Sequence, residues 1–521
     1  MFAADYEVWH TFGTWFVDGF GDGLQDVAEK LVKSGVAEVA HTSDGYVYSL
    51  SDDEAVRSDC AVSISPSGQE AKIRCDLLGS GLYSGEGAYQ FALMSYRENW
   101  LMSGYLHENA PFVRALLNPV VMENDDLSVV LYPQLKLYAN GVALLHFRLF
   151  SPDGGTDSAT LINSYLNLFT MTVTNLMVPP AVLLQNDAGA ALASITSRRH
   201  AKNVMAAFER HIQGHVERVS RMDTEDFSFG LVDVPHALYA APDEPYTFGF
   251  VREMYMTAIA HVLAPERQAF REHGDYWSSR PTVFLFDYKR QPKRFRKDDK
   301  VLDREFAGIL LRVPNISPEV AARTSLTNLR TFDDCRWYVG DAVNLLAFAR
   351  EGAEENSEFA DPNHGQLVYD RLIQVEAMEF IRYTHRKMLE SAMLPKASPA
   401  ETQSDWRSVQ DMERLLADPS NVGEITDSIR HYDEVMRLGE LRRRIVQSIE
   451  IQGQYAVYRR NQSLTVLGIV ATVVLGLSAV PTLANEVTST GMRWLLMFAT
   501  ASVLGLLVFL LWLAVRKYYG R

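Results

Sequence analysis

Residues 463–483 read SLTVLGIVATVVLGLSAVPTL, and after a short polar loop residues 494–515 read WLLMFATASVLGLLVFLLWLAV. Neither run holds a charged residue, and each is long enough, at about 1.5 Å per residue, to cross a hydrocarbon core of about 30 Å. The pair predicts two membrane-spanning helices joined by a loop over 484–493. Arg442, Arg443, Arg444, Arg459 and Arg460 precede the first run, and Arg516, Lys517 and Arg521 follow the second, whereas the loop carries only Glu486 and Arg493. The positive-inside bias then puts both termini, including the tail 516–521, in the cytoplasm, and makes the chain a multi-pass protein of the inner (plasma) membrane. Tyr455, Tyr458, Trp494, Trp512, Tyr518 and Tyr519 fall near the expected water interfaces.

Everything upstream reads as a cytosolic body. A chain of 521 residues has room for two or three domains beside the hairpin. A formal net charge of −15 excludes general nucleic-acid binding, because phosphate would be repelled overall. Cys60, Cys75 and Cys335 are widely spaced and odd in number, which fits neither a disulfide framework nor a zinc pattern. The N-terminus lacks the basic region and apolar core of a signal peptide, so the C-terminal hairpin is the expected targeting element.

The body reads as an α/β domain over 1–345, with an internal break near 222, then a helical region over 346–423. Val27 to Val39 predicts a helix, and Gly45 to Leu50 and Ala61 to Ile64 predict strands. The clearest strand signal is Leu127 to Phe150, where two alternating runs flank Asn140-Gly141, the dipeptide best suited to positive φ in a hairpin turn. Helices are expected over Ala159 to Leu176 and Ala188 to Arg221, strands over Thr282 to Tyr288 and Phe306 to Val313, and helices again over Gln366 to Leu394 and Asp405 to Ala417. From Glu424 no proline intervenes until Pro481, and Ile425, Ile429, Tyr432, Met436, Leu441, Ile445 and Ile449 recur at helical steps. One unbroken stalk helix is predicted from Glu424 to Val480, with 424–462 below the first apolar run.

Several groups are weighed as sites. Gly19-Phe20-Gly21-Asp22-Gly23 and the glycines from Gly79 to Gly87 lack a P-loop ending and read as turns. His211 and His215 share a helix face without a third ligand and read as solvated. The basic run Lys289, Arg290, Lys293, Arg294, Arg296 and Lys297 stands out in an acidic chain and is a candidate docking place for an anionic small-molecule ligand; a solvated loop is the competing reading. Asp52-Asp53 and Asp333-Asp334 are acidic pairs of a kind common on surfaces. No nucleophile–base pair or HExxH motif points to an enzyme.

The segment Asn461-Gln462-Ser463-Leu464-Thr465-Val466-Leu467-Gly468-Ile469-Val470-Ala471-Thr472-Val473 resembles the corresponding stretch of the CorA-type divalent-cation transporter superfamily, Asn-x-x-Met/Leu-x-Val-Leu-x-Ile-Ile/Val-Ala-Thr-Ile/Val. A stalk running into the first of two C-terminal spans, and a second span ending in Arg516-Lys517, resemble it too. The likeness covers about residues 424–521. Where the family carries Gly-Met-Asn, this chain reads Leu483-Ala484-Asn485, so only the asparagine matches. The resemblance implies a homopentamer in the lipid bilayer that moves a divalent cation such as Mg²⁺, with no bound cofactor. It also implies cation contacts between subunits, for which Asp52-Asp53 and Asp333-Asp334 are the candidates. One hairpin cannot enclose water, so an ion path needs several copies. One face of the first run presents Asn461, Leu464, Leu467, Ala471, Leu475, Ser478 and Asn485, a mostly apolar lining. Asn485, beside Glu486, would then meet the hydrated ion. The alternative is a membrane-anchored, ligand-sensing effector that controls permeability in stress or phage defence.

Overall fold

The computed structural model describes residues 2–16, 20, 23–51, 54–64, 71–75, 82–102, 110–123, 128–152, 154–168, 172–173, 175–179, 181–182, 237–240, 246–263, 270–271, 279–296, 300–324, 327–355, 366–394, 399–478, 489–495, 497–499, 501–503 and 505. The chain divides into two compact units: Met1–Met388 with Val409–Arg443, and Leu389–Ser408 with Arg444–Arg521.

Among the described residues, the first unit is built on a 16-stranded sheet. Its main path runs β11 (Cys335–Val339), β12 (Asn344–Phe348), β10 (Arg280–Tyr288), β1 (Phe2–Phe16), β9 (Val142–Phe150), β8 (Ser128–Tyr138), β6 (Phe112–Leu117), β2 (Ala37–Thr42), β3 (Tyr46–Ser51), β4 (Glu54–Ile64) and β5 (Ala71–Cys75). A short strand, β7 (Val120–Glu123), pairs with β8 off this path. Neighbours along the path are antiparallel except β10 and β12, so the sheet is mixed and largely antiparallel.

Side chains alternate across a strand, which gives the sheet two buried faces. On one, Tyr6, Val8, Phe12, Leu135, Leu137, Leu145 and Phe147 share a core with α1 (Leu24–Lys33), α3 (Phe248–Leu263) and α4 (Lys300–Leu310). On the other, Trp9, Trp15, Phe112, Leu116 and Leu144 share a core with α2 (Leu82–Leu101), α5 (Gln366–Met393) and α7 (Gly423–Val435). The expected hairpin is present: Gly141 takes φ +88°, and Asn140 Oδ1 accepts from the Val142 N–H at 3.0 Å. Asn140 Nδ2 also donates to Thr384 Oγ1 at 3.3 Å, so the turn is tied to α5.

Several expectations are corrected. Phe306 to Val313 does not form a strand. Leu302, Phe306 and Ile309 are buried at helical spacing, and the segment is the end of α4 and the turn after it. Ala159 to Leu176 is not one helix: Ser158–Thr160 and Leu161–Leu166 are helical, and Thr172–Val173 and Asn175–Val178 are strands. The helix predicted over Val27 to Val39 ends at Lys33, after which Gly35 takes φ +70° and the chain enters β2. The helix predicted over 188–221, His211, His215 and the break near 222 lie outside the described residues, as do Asp52 and Asp53.

The two C-terminal spanning helices are also overturned. Among the described residues no helix is long and apolar enough to cross a membrane. Among the described residues, α8 (Leu438–Ser478) includes Ser463 to Ser478 of the first charge-free run, fewer than the about 20 residues a span needs, with Arg459 and Arg460 just before them, and residues 479–483 lie outside the described residues. Of the second run, residues 494–495, 497–499, 501–503 and 505 are described, and these are helical. The expected multi-pass inner-membrane placement with both termini cytoplasmic falls with the spans.

The stalk is not one helix either. It breaks between α7 and α8 at Met436 and Arg437, where Arg437 takes φ +52°. A left-handed conformation at a residue with a Cβ costs about 1–2 kcal/mol, and Gly439, which would adopt it freely, stands two residues later. Past the break, Arg442 grips Asp433 with two bonds of 2.6 and 2.7 Å.

In the second unit, Ile445, Ile449 and Ala456 of α8 are buried on one face, and between them Gly453 comes close to Thr402 of α6 (Pro399–Ala417). A Cβ on Gly453 would stand 3.1 Å from Thr402 Cγ2.

Gly13 of β1 faces α5, and a Cβ there would lie 1.9 Å from Tyr383 Cε2. Tyr383 is buried beside Trp15, with ring centroids 6.4 Å apart, so the ring has little room to yield. Gly13→Ala is expected to lower the stability of the first unit by about 1–3 kcal/mol in urea titration, the range for overpacking a core.

Candidate functional site, a buried polar row across the sheet

The face of the sheet under α5 carries a row of polar side chains. In β6 and β8 the positions facing α1, α3 and α4 are apolar (Val113, Ala115, Leu135, Leu137), while those facing α5 include Arg114, Gln134 and Lys136. Strand register brings the row together. His41 of β2 is opposite Arg114, and Arg114 is opposite Lys136. Further along, Gln134 is opposite His146, His146 opposite Thr11, and Thr11 opposite Arg280. His41, Arg114, Lys136, His146, Thr11 and Arg280 are each at most 3% exposed.

Like charges directly opposite one another on adjacent strands repel, and desolvated charges need partners. The helices supply them. Arg114 Nη2 donates to Glu376 Oε2 at 2.6 Å and to Glu98 Oε2 at 2.7 Å, and its Nη1 donates to Glu376 Oε1. Lys136 Nζ donates to Glu98 at 2.7 and 2.9 Å and to Glu376 Oε2 at 3.0 Å. Its ammonium also stands 4.2 Å from the Phe112 ring centroid, a cation–π contact. Two cations from the sheet thus meet two carboxylates, one from α2 and one from α5, in an arrangement with no net charge.

Burial alone would raise the Glu376 carboxyl, but Arg114 and then Lys136 outweigh it and hold it down to about 2. Burial pulls the Lys136 ammonium down, and Arg114 adds to that. His146 is hydrogen-bonded through Nδ1 to Thr11 Oγ1 at 3.0 Å, while its Nε2 is 3.6 Å from Glu376 Oε1, beyond hydrogen-bond reach. Burial, against the pull of Glu376, lowers its imidazole to about 4. His41, bonded to Ser95 Oγ at 3.2 Å, is lowered to about 4 by burial and then by Arg114.

One turn further along α5, Glu379 gathers a second set. It accepts from Tyr432 Oη of α7 at 2.9 Å, from Arg382 Nη1 at 3.2 Å and from Arg280 Nη1 at 3.4 Å. The Arg280 guanidinium lies 4.6 Å from the Tyr432 ring centroid. At the start of α7, Glu424 accepts from Arg330 Nη1 and Thr331 Oγ1, both at 3.1 Å, and from Arg371 of α5. The carboxylates of α5 therefore link the strands on one side to α7 on the other.

The residues singled out from sequence are distributed elsewhere. In the basic run, Lys293 pairs with Glu351 at 2.9 Å, and Arg294 pairs with Glu351 at 2.6 Å and with Asp333 at 3.0 Å. Lys289, Arg290 and Arg296 are exposed around the turn after β10, and Lys297 lies outside the described residues. The acidic pair Asp333-Asp334 is divided between arginines, since Asp334 binds Arg330 at 2.8 Å. Among the described residues no group of three or more His, Cys, Asp or Glu could hold a metal ion. Asn461, Leu464, Leu467 and Ala471 are exposed on α8, Leu475 and Ser478 belong to its last turns, and Asn485 and Glu486 lie outside the described residues. None of the row residues figured among the sequence candidates. The available signal was a charged or imidazole side chain inside an otherwise apolar strand, as in Phe112–Leu117 and Val142–Phe150. No family model, curated protein or solved structure matches the chain.

Glu376→Gln removes one of two carboxylates facing Arg114 and Lys136 and is expected to cost about 3–5 kcal/mol in urea titration. Adding Lys136→Met should recover part of that loss, because it removes the cation left in excess. Unfolded histidines titrate near 6.5, whereas His41 and His146 stay neutral down to about 4 in the fold. The unfolded chain binds more protons in that window, so stability should hold above pH 6.5 and fall from there towards pH 4, by about 1.4 kcal/mol per pH unit for each proton. His146→Gln, whose amide faces the same Arg114, Lys136, Glu376 and Glu379, should flatten that slope in pH-dependent urea titrations.

Proposed function

We propose that the chain is a non-enzymatic, self-associating transducer, in which the sheet unit controls the helix that follows α7 and copies of the chain associate through α8. The observation that supports this most is the double engagement of α5. Glu376 answers the cations of the sheet, and Glu379, one turn on, holds Tyr432 of α7. A ligand that displaces α5 from the row would also release α7, a two-state arrangement of the kind that carries conformational signals. The exposed basic turn at Lys289 and Arg290 is the place on this unit where an anionic small molecule would act.

Association is supported by the surface of α8. Leu464, Val466, Leu467 and Ile469 are 58%, 43%, 67% and 56% exposed, and at about 100° per residue they lie on all sides of the helix. A helix with exposed apolar residues on several sides needs cover on more than one side, which supports an assembly of more than two copies. The resemblance of residues 461–473 to CorA-type transporters supports a closed ring and a divalent cation such as Mg²⁺ as the ion to which the assembly responds.

Analytical ultracentrifugation of the full chain tests this reading. The wild type should sediment as a species larger than a dimer, and Leu467→Glu with Ile469→Glu should shift it to monomer while the urea midpoint of the first unit stays unchanged. Addition of Mg²⁺ should move the wild-type distribution and leave the double variant unmoved. A monomeric wild type would overturn the proposal.

A further inference from the structure

The three cysteines separate into two kinds once the register of the sheet is known. Cys335 is in β11 opposite Phe348, fully buried, and burial pushes its thiol up to about 12. Cys60 and Cys75 are in β4 and β5, and these antiparallel strands place them directly opposite one another, at one end of the register that continues through Ala61 and Arg74 to Ile64 and Ala71. Residues directly opposite in an antiparallel pair have Cα atoms about 4.5 or 5.5 Å apart, depending on whether they exchange backbone hydrogen bonds. Disulfides join residues whose Cα atoms are about 4.4–6.8 Å apart, and both kinds of pair fall inside that range.

We propose that Cys60 and Cys75 form a reversible cross-strand disulfide that locks β5 to β4 at the end of the main strand path. The inference rests on strand register alone and does not depend on the proposed function. Its oxidant is a low-molecular-weight disulfide. The thiolate of one cysteine attacks that disulfide, forming a mixed disulfide and releasing one small thiolate. The thiolate of the other attacks the protein sulfur of the mixed disulfide, forming the Cys60–Cys75 bond and releasing the second small thiolate. Two protein thiols lose two protons and two electrons, and the small disulfide is reduced to two thiols. Cys335, a buried thiol with little thiolate at neutral pH, takes no part.

The test treats the purified full chain with oxidised glutathione, denatures it in an alkylating reagent and maps its peptides by mass spectrometry. The expected result is a peptide from β4 joined to a peptide from β5, with Cys335 alone alkylated, and three alkylated cysteines after prior reduction. Cys60→Ser should trap a single glutathione on Cys75, because the resolving thiol is gone, and Cys75→Ser should trap one on Cys60. Three alkylated cysteines in the oxidised wild type, or glutathione retained on Cys60 and Cys75 together, would overturn the assignment.

Discussion

Arg114 and Lys136 stand side by side on neighbouring strands in the interior of the sheet unit, and much of the packing on that face follows from their need for counter-charge. Two adjacent cations out of water repel each other and have lost their hydration. Neither strand supplies an acid, so both carboxylates come from helices, Glu98 from α2 and Glu376 from α5. The requirement fixes which turn of each helix lies over β6 and β8. Apolar contacts such as Phe380 against Tyr138, with ring centroids 4.2 Å apart, contribute area, but they tolerate a slip along the helix far better than a bidentate carboxylate does.

Once Glu376 is placed, helical geometry places Glu379 one turn away, above Arg280 and beside Tyr432. The start of α7 is held in the same manner, by Glu424 between Arg371 and Arg330. The segment leading to the break at Arg437 is thus fixed by charge as well as by the buried Ile425 and Ile429. In the second unit the character of α8 changes along its length. Ile445, Ile449 and Ala456 are buried, and from Val457 to Ala471 the helix is largely exposed and increasingly apolar. That change is the physical ground for assigning association to its later turns.

Local patterns carried part of this into the sequence. Asn140-Gly141 between alternating runs marked the β8–β9 hairpin, and the long periodic stretch from Gln366 marked α5 to within a residue of its end. The polar row was illegible because its members come from residues 11, 41, 114, 136, 146 and 280, and only strand register makes them neighbours. The same holds for Cys60 and Cys75, whose distance along the chain says nothing of their pairing. Phe306 to Val313 misled because a short apolar run suits a buried strand or one face of a helix equally, and the deciding residues, Leu302 and Lys300 onward, lie before it. Periodicity also carried no warning of Arg437, since a single left-handed residue between two helices leaves the hydrophobic spacing almost intact.

Glu379 of α5 holds α7 in place through Tyr432, and amide hydrogen exchange on Glu379→Gln tests this most directly. Residues 425–435 should exchange about tenfold faster than in the wild type, equivalent to about 1.4 kcal/mol of lost local stability, while β1 and β9 exchange at their original rates. Unchanged exchange across α7, or equal acceleration through the whole sheet, would contradict the account.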